Sequence, residues 1–262
     1  MADETPHEPP PGPTETEILQ EATQRLVRDV DALEEAAWSE PSGLPGWTRA
    51  HVVAHLTLNA EGLAAALGGI VQGEPTPMYA SSEARDSDID KLATADPGEL
   101  RTRLLGATTE FADAVAAMPD DAWDASIERT PGGRTFHARS TAGMRLREVE
   151  VHHVDLGVGY TTADWEPAFG ALLLDAMGKR HPTAQPFRAH ATDLDRTWVF
   201  GDGGPTVTGT AGDLGWWLTG RGPGDAARAG RDVEDATARP HARGVEERHD
   251  RAPGHRLEEI MI

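Results

Sequence analysis

Apolar residues recur every three or four positions along much of the chain, and this spacing predicts amphipathic helices. The first helix is predicted to start at Thr14, because Thr14 and Glu17 match the pattern of a capping box. The apolar positions that follow share one helical face: Ile18, Ala22, Leu26, Val30, Leu33 and Ala37. The letters "SGLPGW" after this stripe predict a turn.

A second helix is predicted to follow Thr48, a residue that can serve as its N-cap. One face of this helix holds Val52, Leu56, Asn59 and Leu63. His55 lies beside that face. The stretch that follows, residues 73–90, is polar and irregular, which predicts a loop.

Two further helices are indicated before residue 160. The letters "DPGE" at 96–99 supply an N-cap, a proline at the first helical position and the acid of a capping box, and Pro119 ends this third helix. The letters "TPGGRTFHA" at 130–138 predict a hairpin-like loop, and a fourth helix runs from there to about Leu156. Four amphipathic helices joined by loops predict a four-helix bundle.

The pattern changes after residue 160. A fifth helix is predicted from about Asp164 to Gly178, and the alternating stretches "RAHATDL" and "RTWVF" predict strands. The letters "GDGG" predict a tight turn, "PTVTGT" a partner strand, and "AGDLGWWLTG" a short helix closed by Gly220. The predicted fold class is therefore α+β, with an N-terminal four-helix bundle over residues 14–160 and a small C-terminal α/β domain over residues 161–222.

The two ends of the chain differ from the rest in composition. Residues 1–13 are acidic and rich in proline, which predicts a disordered lead-in. Residues 223–262 contain no aromatic residue and alternate acidic with basic positions, which predicts a disordered, solvated tail.

Charge and composition exclude several classes of function. The chain has 262 residues, a formal net charge of −20 and no cysteine. A uniformly acidic surface repels nucleic acid and anionic membranes, so neither is expected as a partner. The lack of cysteine excludes a catalytic thiol or cysteine-bound zinc of the chain's own. No signal peptide or membrane-length apolar run is recognisable, so the predicted location is the cytoplasm.

The stretch "MRLREVEVHHVDL", residues 144–156, carries the candidate chemistry. Glu148 and His152 are four residues apart and share one face of the predicted fourth helix. If that face is buried, the pair needs a partner, and a divalent metal accepts both carboxylate oxygen and imidazole nitrogen. His55 can supply a third ligand from the second helix. Two histidines and one glutamate leave a coordination position open, as in catalytic zinc sites.

The same stretch leaves other interpretations open. A glutamate and a histidine four residues apart are also common as a surface pair. Asp155 can hold a metal-bound imidazole, or simply form a hydrogen bond at the end of the helix. His51 and His153 are predicted to face solvent or to cap a helix. Zinc is favoured by the ligand types, although such sites accept other divalent ions.

Three blocks of sequence together point to a family. "LPGWTRAHVVAHLTLNAEGL", then "RLREVEVHHVDLGVGYTTADW", then "GDLGWWLTGR" resemble the mycothiol-dependent maleylpyruvate isomerase family in content and order. The resemblance implies a DinB-like, metal-binding four-helix bundle followed by a small α/β domain. It also implies that His55, Glu148 and His152 are the metal ligands and that Arg221 lies near the active cleft between the domains.

The resemblance further implies a reaction. A metal-bound thiol loses its proton readily, so mycothiol would act as a borrowed nucleophile. Its thiolate would add to the cis double bond of maleylpyruvate, and rotation followed by elimination would give the trans isomer, fumarylpyruvate. Arg221 would bind a substrate carboxylate, since a guanidinium pairs with carboxylates in a bidentate manner. A role for Arg221 as a plain charge at the end of a helix is the alternative.

Two other functions remain compatible with the sequence. A mycothiol S-transferase would use a similar bundle to conjugate the thiol to an electrophile, in detoxification or secondary metabolism. A non-catalytic helical protein could bind a metal or a partner, with the tail as its functional part.

Overall fold

The computed structural model describes residues 15–178 and 186–222 of the chain. Four helices form an N-terminal bundle: α1 (Glu15–Asp31), α2 (Arg49–Gln72), α4 (Pro97–Ala116) and α5 (Thr141–Asp155), with a shorter helix α3 (Ser82–Leu92) between α2 and α4. In this bundle α2 packs against α4 and α5, and α1 packs against α5 and α4. The predicted four-helix bundle is confirmed.

Helix α1 is shorter than its apolar stripe predicts. It ends at Asp31, and a 3₁₀ helix follows at Glu35–Ser39, so Leu33 and Ala37 lie outside α1. A tertiary contact accompanies the early end, since the Arg101 guanidinium donates to the Leu33 carbonyl. Arg101 also lies over the buried ring of Trp38, 5.1 Å from its centroid.

Helix α3 occupies the second half of the stretch 73–90 that the sequence predicts as a loop, so that prediction holds for residues 73–81 and is wrong from Ser82 on. The Ser81 hydroxyl accepts a hydrogen bond from the Ala84 amide at 3.0 Å and caps the helix. The helix buries Arg85, Ile89 and Leu92, which share one face. One of these three is a cation, and this is why the apolar periodicity is too weak to be recognised.

A short hairpin joins α4 to α5. Strands β1 (Ser126–Glu128) and β2 (Thr135–His137) pair antiparallel, which confirms the predicted hairpin-like loop. The backbone amides of Met78 and Tyr79 donate to carbonyls of this hairpin. The same segment passes so close to α2 that a β-carbon on Gly62 would lie 2.8 Å from the Met78 carbonyl oxygen. Glycine therefore permits the approach that brings α3 against α2.

The C-terminal unit is a three-stranded sheet with two helices. Helix α6 (Pro167–Gly178) leads to strands β3 (Phe187–Ala191), β4 (Arg196–Phe200) and β5 (Thr206–Gly209), and α7 (Ala211–Leu218) closes the unit. The sheet order is β4-β3-β5, with β3 antiparallel to β4 and parallel to β5. The turn after β4 therefore does not close a hairpin, since the chain crosses over to the far side of β3.

The α+β fold class is confirmed, with a mostly helical bundle followed by this small sheet region. The boundary between residues 160 and 161 stays a prediction. Thr14, the predicted lead-in at residues 1–13 and the predicted tail at residues 223–262 lie outside the described residues. No helix in the described ranges is both long enough and apolar enough to cross a membrane.

Candidate metal centre

Three side chains from two helices meet inside the bundle. His55 lies on α2, and Glu148 and His152 lie on α5. His55 Nε2 donates to Glu148 Oε2 at 2.9 Å, and His152 Nε2 lies 3.2 Å from the same oxygen. One ligand atom from each residue falls within 4.8 Å of the others, and all three residues are buried. The grouping predicted from spacing and from family resemblance is therefore present as geometry.

The start of α2 is anchored close to this group. Thr48 and His51 form a reciprocal capping box, in which the Thr48 amide donates to His51 Nδ1 at 3.3 Å. The prediction that His51 caps a helix is confirmed. The Trp47 ring is near both histidines of α2, 6.2 Å from the His51 ring and 5.8 Å from the His55 ring between centroids. This cap fixes the end of α2 from which His55 projects.

The hydrogen bonds of His152 leave one ring nitrogen suited to a metal. His152 Nδ1 donates to Asp155 Oδ2 at 2.8 Å, so Nδ1 carries the proton. In the neutral imidazole Nε2 then carries a lone pair, and this buried atom has no hydrogen-bond partner among the described residues. An orphaned, buried acceptor beside a carboxylate and a second imidazole fits a divalent ion, and the nitrogen and oxygen donors suit zinc.

Burial and mutual contacts shift the pKa values of these groups. Burial lowers the pKa of His55 to about 3, so its imidazole is neutral. Burial acts against ionisation of Glu148, but the adjacent imidazoles of His152 and His55 hold its pKa well below the usual range. For His152 burial acts against the charged form, yet Asp155 and Glu148 raise its pKa. An ionised carboxylate and a neutral imidazole are the forms in which metals bind these side chains.

Asp155 connects the bundle to the C-terminal unit. Arg221 Nε donates to Asp155 Oδ1 at 3.0 Å and lies 3.1 Å from Oδ2. The Arg221 guanidinium also lies over Trp216, 5.7 Å from the ring centroid. The backbone at Asp155 is held in turn by Gly43, whose amide donates to the Asp155 carbonyl at 2.6 Å. Arg221 is thus separated from His152 by one carboxylate.

Arg85 is a buried residue near the site for which the sequence offered no role. Its Nη2 donates to His55 Nδ1 at 3.4 Å, and its Nη1 donates to Asp86 Oδ1 at 2.6 Å. Its guanidinium carbon lies 5.8 Å from the centroid of the Tyr79 ring. A single buried cation in a polar stretch leaves no periodic signal, so sequence reasoning missed it.

Arg145 is a second buried cation in this part of the bundle. It is fully buried and donates from Nη1 to the Leu56 carbonyl and to Asn59 Oδ1, both at 2.8 Å. Burial lowers its pKa to about 10, so it stays charged at neutral pH. These bonds join α5 to α2 beside Glu148 and His55, so Arg145 stabilises the helix pair that holds the ligands.

The neighbours Glu150 and His153 form a separate polar cluster on another face of α5. His153 is fully buried, so the prediction that it faces solvent or caps a helix is wrong. Its Nε2 donates to Asp29 Oδ2 at 2.8 Å, and its ring stacks on Tyr160 with centroids 3.8 Å apart. The Tyr160 hydroxyl donates to Glu150 Oε2 at 2.5 Å. This cluster joins α5 to α1 and points away from the candidate ligands.

A cavity of about 650 Å³ lies elsewhere, in a groove between α1 and α4. Its lining is mostly apolar and includes Leu19, Val27, Phe111 and Val115. None of the three candidate ligands lines it. Arg145 does line it, so the groove reaches a neighbour of the ligand group but not the ligands themselves.

Comparisons with known proteins identify the family and support the fold. Residues 19–157 match the family described as the mycothiol maleylpyruvate isomerase N-terminal domain. Uncharacterized proteins from two Mycobacterium tuberculosis strains are each 27% identical over 239 residues, which cover 83% of this chain and 80% of the relative. Crystal structures of the mycothiol-dependent maleylpyruvate isomerase and of a histidine-to-alanine mutant superpose with TM-scores of 0.73 and 0.72. Both are 28% identical and cover 79% of this chain and 88% of their own.

Proposed function

The chain belongs to the family of the mycothiol maleylpyruvate isomerase N-terminal domain, and on this basis we propose that it is a mycothiol-dependent, metal-requiring maleylpyruvate isomerase. One observation carries the proposal. His55, Glu148 and His152 converge, buried, from two helices to within 4.8 Å of one another. Two histidines and one carboxylate leave room for an exogenous ligand, as catalytic metal sites require.

Each of the three residues has a defined part in this proposal. Glu148 would supply an anionic oxygen, and His55 and His152 would supply neutral nitrogen, to a divalent ion that we take to be zinc. When bound, the ion would stabilise the thiolate form of mycothiol and so supply the nucleophile that a chain without cysteine lacks. Asp155 would hold His152 in the tautomer that presents Nε2, through the 2.8 Å bond from Nδ1.

Arg221 is proposed to bind a substrate carboxylate. It lies beside the candidate ligands, joined to His152 through Asp155. Asp155 engages Nε, and a planar guanidinium pairs with a carboxylate in a bidentate manner. The bond to Asp155 would also orient the guanidinium toward the site.

Replacing Arg221 with alanine should raise the KM for maleylpyruvate at least about tenfold while the bound metal is retained. Steady-state kinetics and metal analysis of the same preparation measure both quantities. Arg196→Ala is a matched control, because Arg196 also pairs with an aspartate and lies over a tryptophan, but within the sheet. Kinetics equal to those of the wild type would remove Arg221 from the substrate site.

The fate of the thiol tests the proposed reaction. Isomerisation regenerates free mycothiol, whereas an S-transferase consumes one thiol for each product. Purified protein should convert maleylpyruvate to fumarylpyruvate with catalytic mycothiol, and the free thiol should be unchanged at the end. Stoichiometric loss of thiol would favour a transferase. If the protein does not react with maleylpyruvate, its substrate is a different compound. The cytoplasmic location stays a prediction.

A further inference from the structure

The groove between α1 and α4 has the size and the lining of a small-molecule site. Its volume of about 650 Å³ lies within the range of roughly 300–1,000 Å³ that is usual for ligand pockets. Apolar side chains such as Leu19, Phe111 and Val115 form most of its lining. Ligand pockets have this composition, in which a few polar groups fix the orientation of an apolar ligand.

The charge of the groove is opposite to that of the chain. The sequence has 44 acidic residues but only 24 lysines and arginines. The described residues that line the groove nevertheless include two arginines, Arg28 and Arg145, and no acidic residue. An anionic ligand therefore meets only positive charge among these side chains, although the formal net charge of the chain is −20.

Arg145 supplies the polar group that recognises such an anion. Its Nη1 donates to the Leu56 carbonyl and to Asn59 Oδ1, and both of these acceptors are uncharged. Its Nη2 is buried and has no hydrogen-bond partner among the described residues. Glu148, whose charge acts on this guanidinium, lies against the two candidate histidine ligands instead. A buried donor without a partner is costly, and a carboxylate is the acceptor that a guanidinium binds most strongly.

The shape of the groove favours a chain over a compact ring. The lining residues of α1 extend from Thr16 to Arg28, which corresponds to a length of ~18 Å along the helix. Arg145 lies toward the start of α1, because a β-carbon on the nearby Gly143 would lie 2.9 Å from Glu15 Oε2. Arg28 lies in the last turn of α1 and is exposed. The buried arginine and the exposed one therefore mark opposite ends of the groove.

We propose that the groove binds an aliphatic monocarboxylate, whose carboxylate pairs with Arg145 and whose alkyl chain lies along the apolar lining toward Arg28. One carboxylate suffices, because the exposed Arg28 is hydrated whereas Nη2 of Arg145 is not. None of the three candidate metal ligands lines the groove, so this inference does not depend on the proposed function.

Binding is tested with sodium decanoate as the probe. Isothermal titration calorimetry of the full-length protein should show about one decanoate per chain. 1-Decanol, which lacks the charge, and acetate, which lacks the chain, should each bind at least about tenfold more weakly. Equal affinity for decanoate and 1-decanol would overturn the inference, and so would the absence of decanoate binding. In the second case, light scattering that shows a dimer would indicate that a second copy of the chain covers the groove.

Two substitutions locate the bound probe. Arg145→Gln should weaken decanoate binding at least about tenfold and change 1-decanol binding less than about threefold, a difference that a general loss of structure would not produce. Ala112→Trp, at an exposed position of α4 in the lining, should fill the groove and abolish the binding of both probes. Val71→Trp is its matched control, because Val71 is exposed on α2 outside the lining. Unchanged decanoate affinity in Arg145→Gln or in Ala112→Trp would overturn the inference.

Discussion

Replacing His152 with alanine should reduce the isomerase activity at least about 1,000-fold, because a bound metal contributes several kcal/mol to transition-state stabilisation. The zinc content should fall from about one ion per chain to background, since a carboxylate and one imidazole do not hold the ion alone. His152 supplies a buried ring nitrogen that faces Glu148 and has no hydrogen-bond partner in the described part of the chain. Elemental analysis and the thiol-dependent assay measure the two effects.

His153→Ala is the matched control for this substitution. The two histidines are adjacent and both buried, but His153 bonds to Asp29 and stacks on Tyr160 instead of facing the ligands. Loss of its hydrogen bond and stacking should lower the free energy of unfolding by about 1–3 kcal/mol while zinc is retained. Zinc retained in His152→Ala, or lost equally in both variants, would show that His152 is not a ligand.

Replacing Asp155 with asparagine should weaken zinc binding about 10–100-fold. The aspartate accepts from His152 Nδ1 at 2.8 Å and from Arg221 Nε at 3.0 Å. An asparagine has a single carbonyl oxygen, so its amide group would face one of these two donors. The tautomer of His152 and the position of Arg221 cannot then both be kept. Chelator competition gives the zinc affinity, and the KM reports the displacement of Arg221.

The bundle offers an equivalent pair in which no effect on zinc is expected. Asp29 accepts from His153 Nε2 at 2.8 Å, the same distance as in the pair formed by His152 and Asp155. Asp29→Asn should therefore leave zinc affinity and KM unchanged. Equal zinc affinity in Asp155→Asn and the wild type would limit Asp155 to a structural contact at the end of α5.

The candidate site could be predicted in part because one half of it is local. Glu148 and His152 are four residues apart, and helical periodicity alone places them on one face. His55 could be predicted from the sequence for a different reason. It lies in the block "LPGWTRAHVVAHLTLNAEGL", which resembles the family, on a helix with a clear N-cap. The burial of Arg85 could not be predicted, because the polar stretch around it contains only two apolar residues on the buried face of α3.

The strand with which β5 pairs could not be predicted for a related reason. A tight turn after β4 favours a hairpin, whereas the parallel pairing of β5 with β3 depends on contacts between segments that are not adjacent in the sequence. The early end of α1 is similar, because the contact that accompanies it comes from Arg101, far along the chain.

Capping residues, helical periodicity and the spacing of Glu148 and His152 follow from the order of residues, because they depend on interactions within one or two helical turns. The direction in which each ring nitrogen of the histidine ligands points does not follow from the order of residues alone. For His55 it depends on Arg85, a contact that needs α3 to pack on α2. The bond from His152 to Asp155 is local to α5, and only the bond from Arg221 to Asp155 needs the C-terminal unit to pack. The hydrogen bonds between α3 and α2, and between the C-terminal unit and α5, join segments that are distant in the chain. The environment of each imidazole, and with it the nitrogen that carries the proton, is therefore complete only in the folded protein.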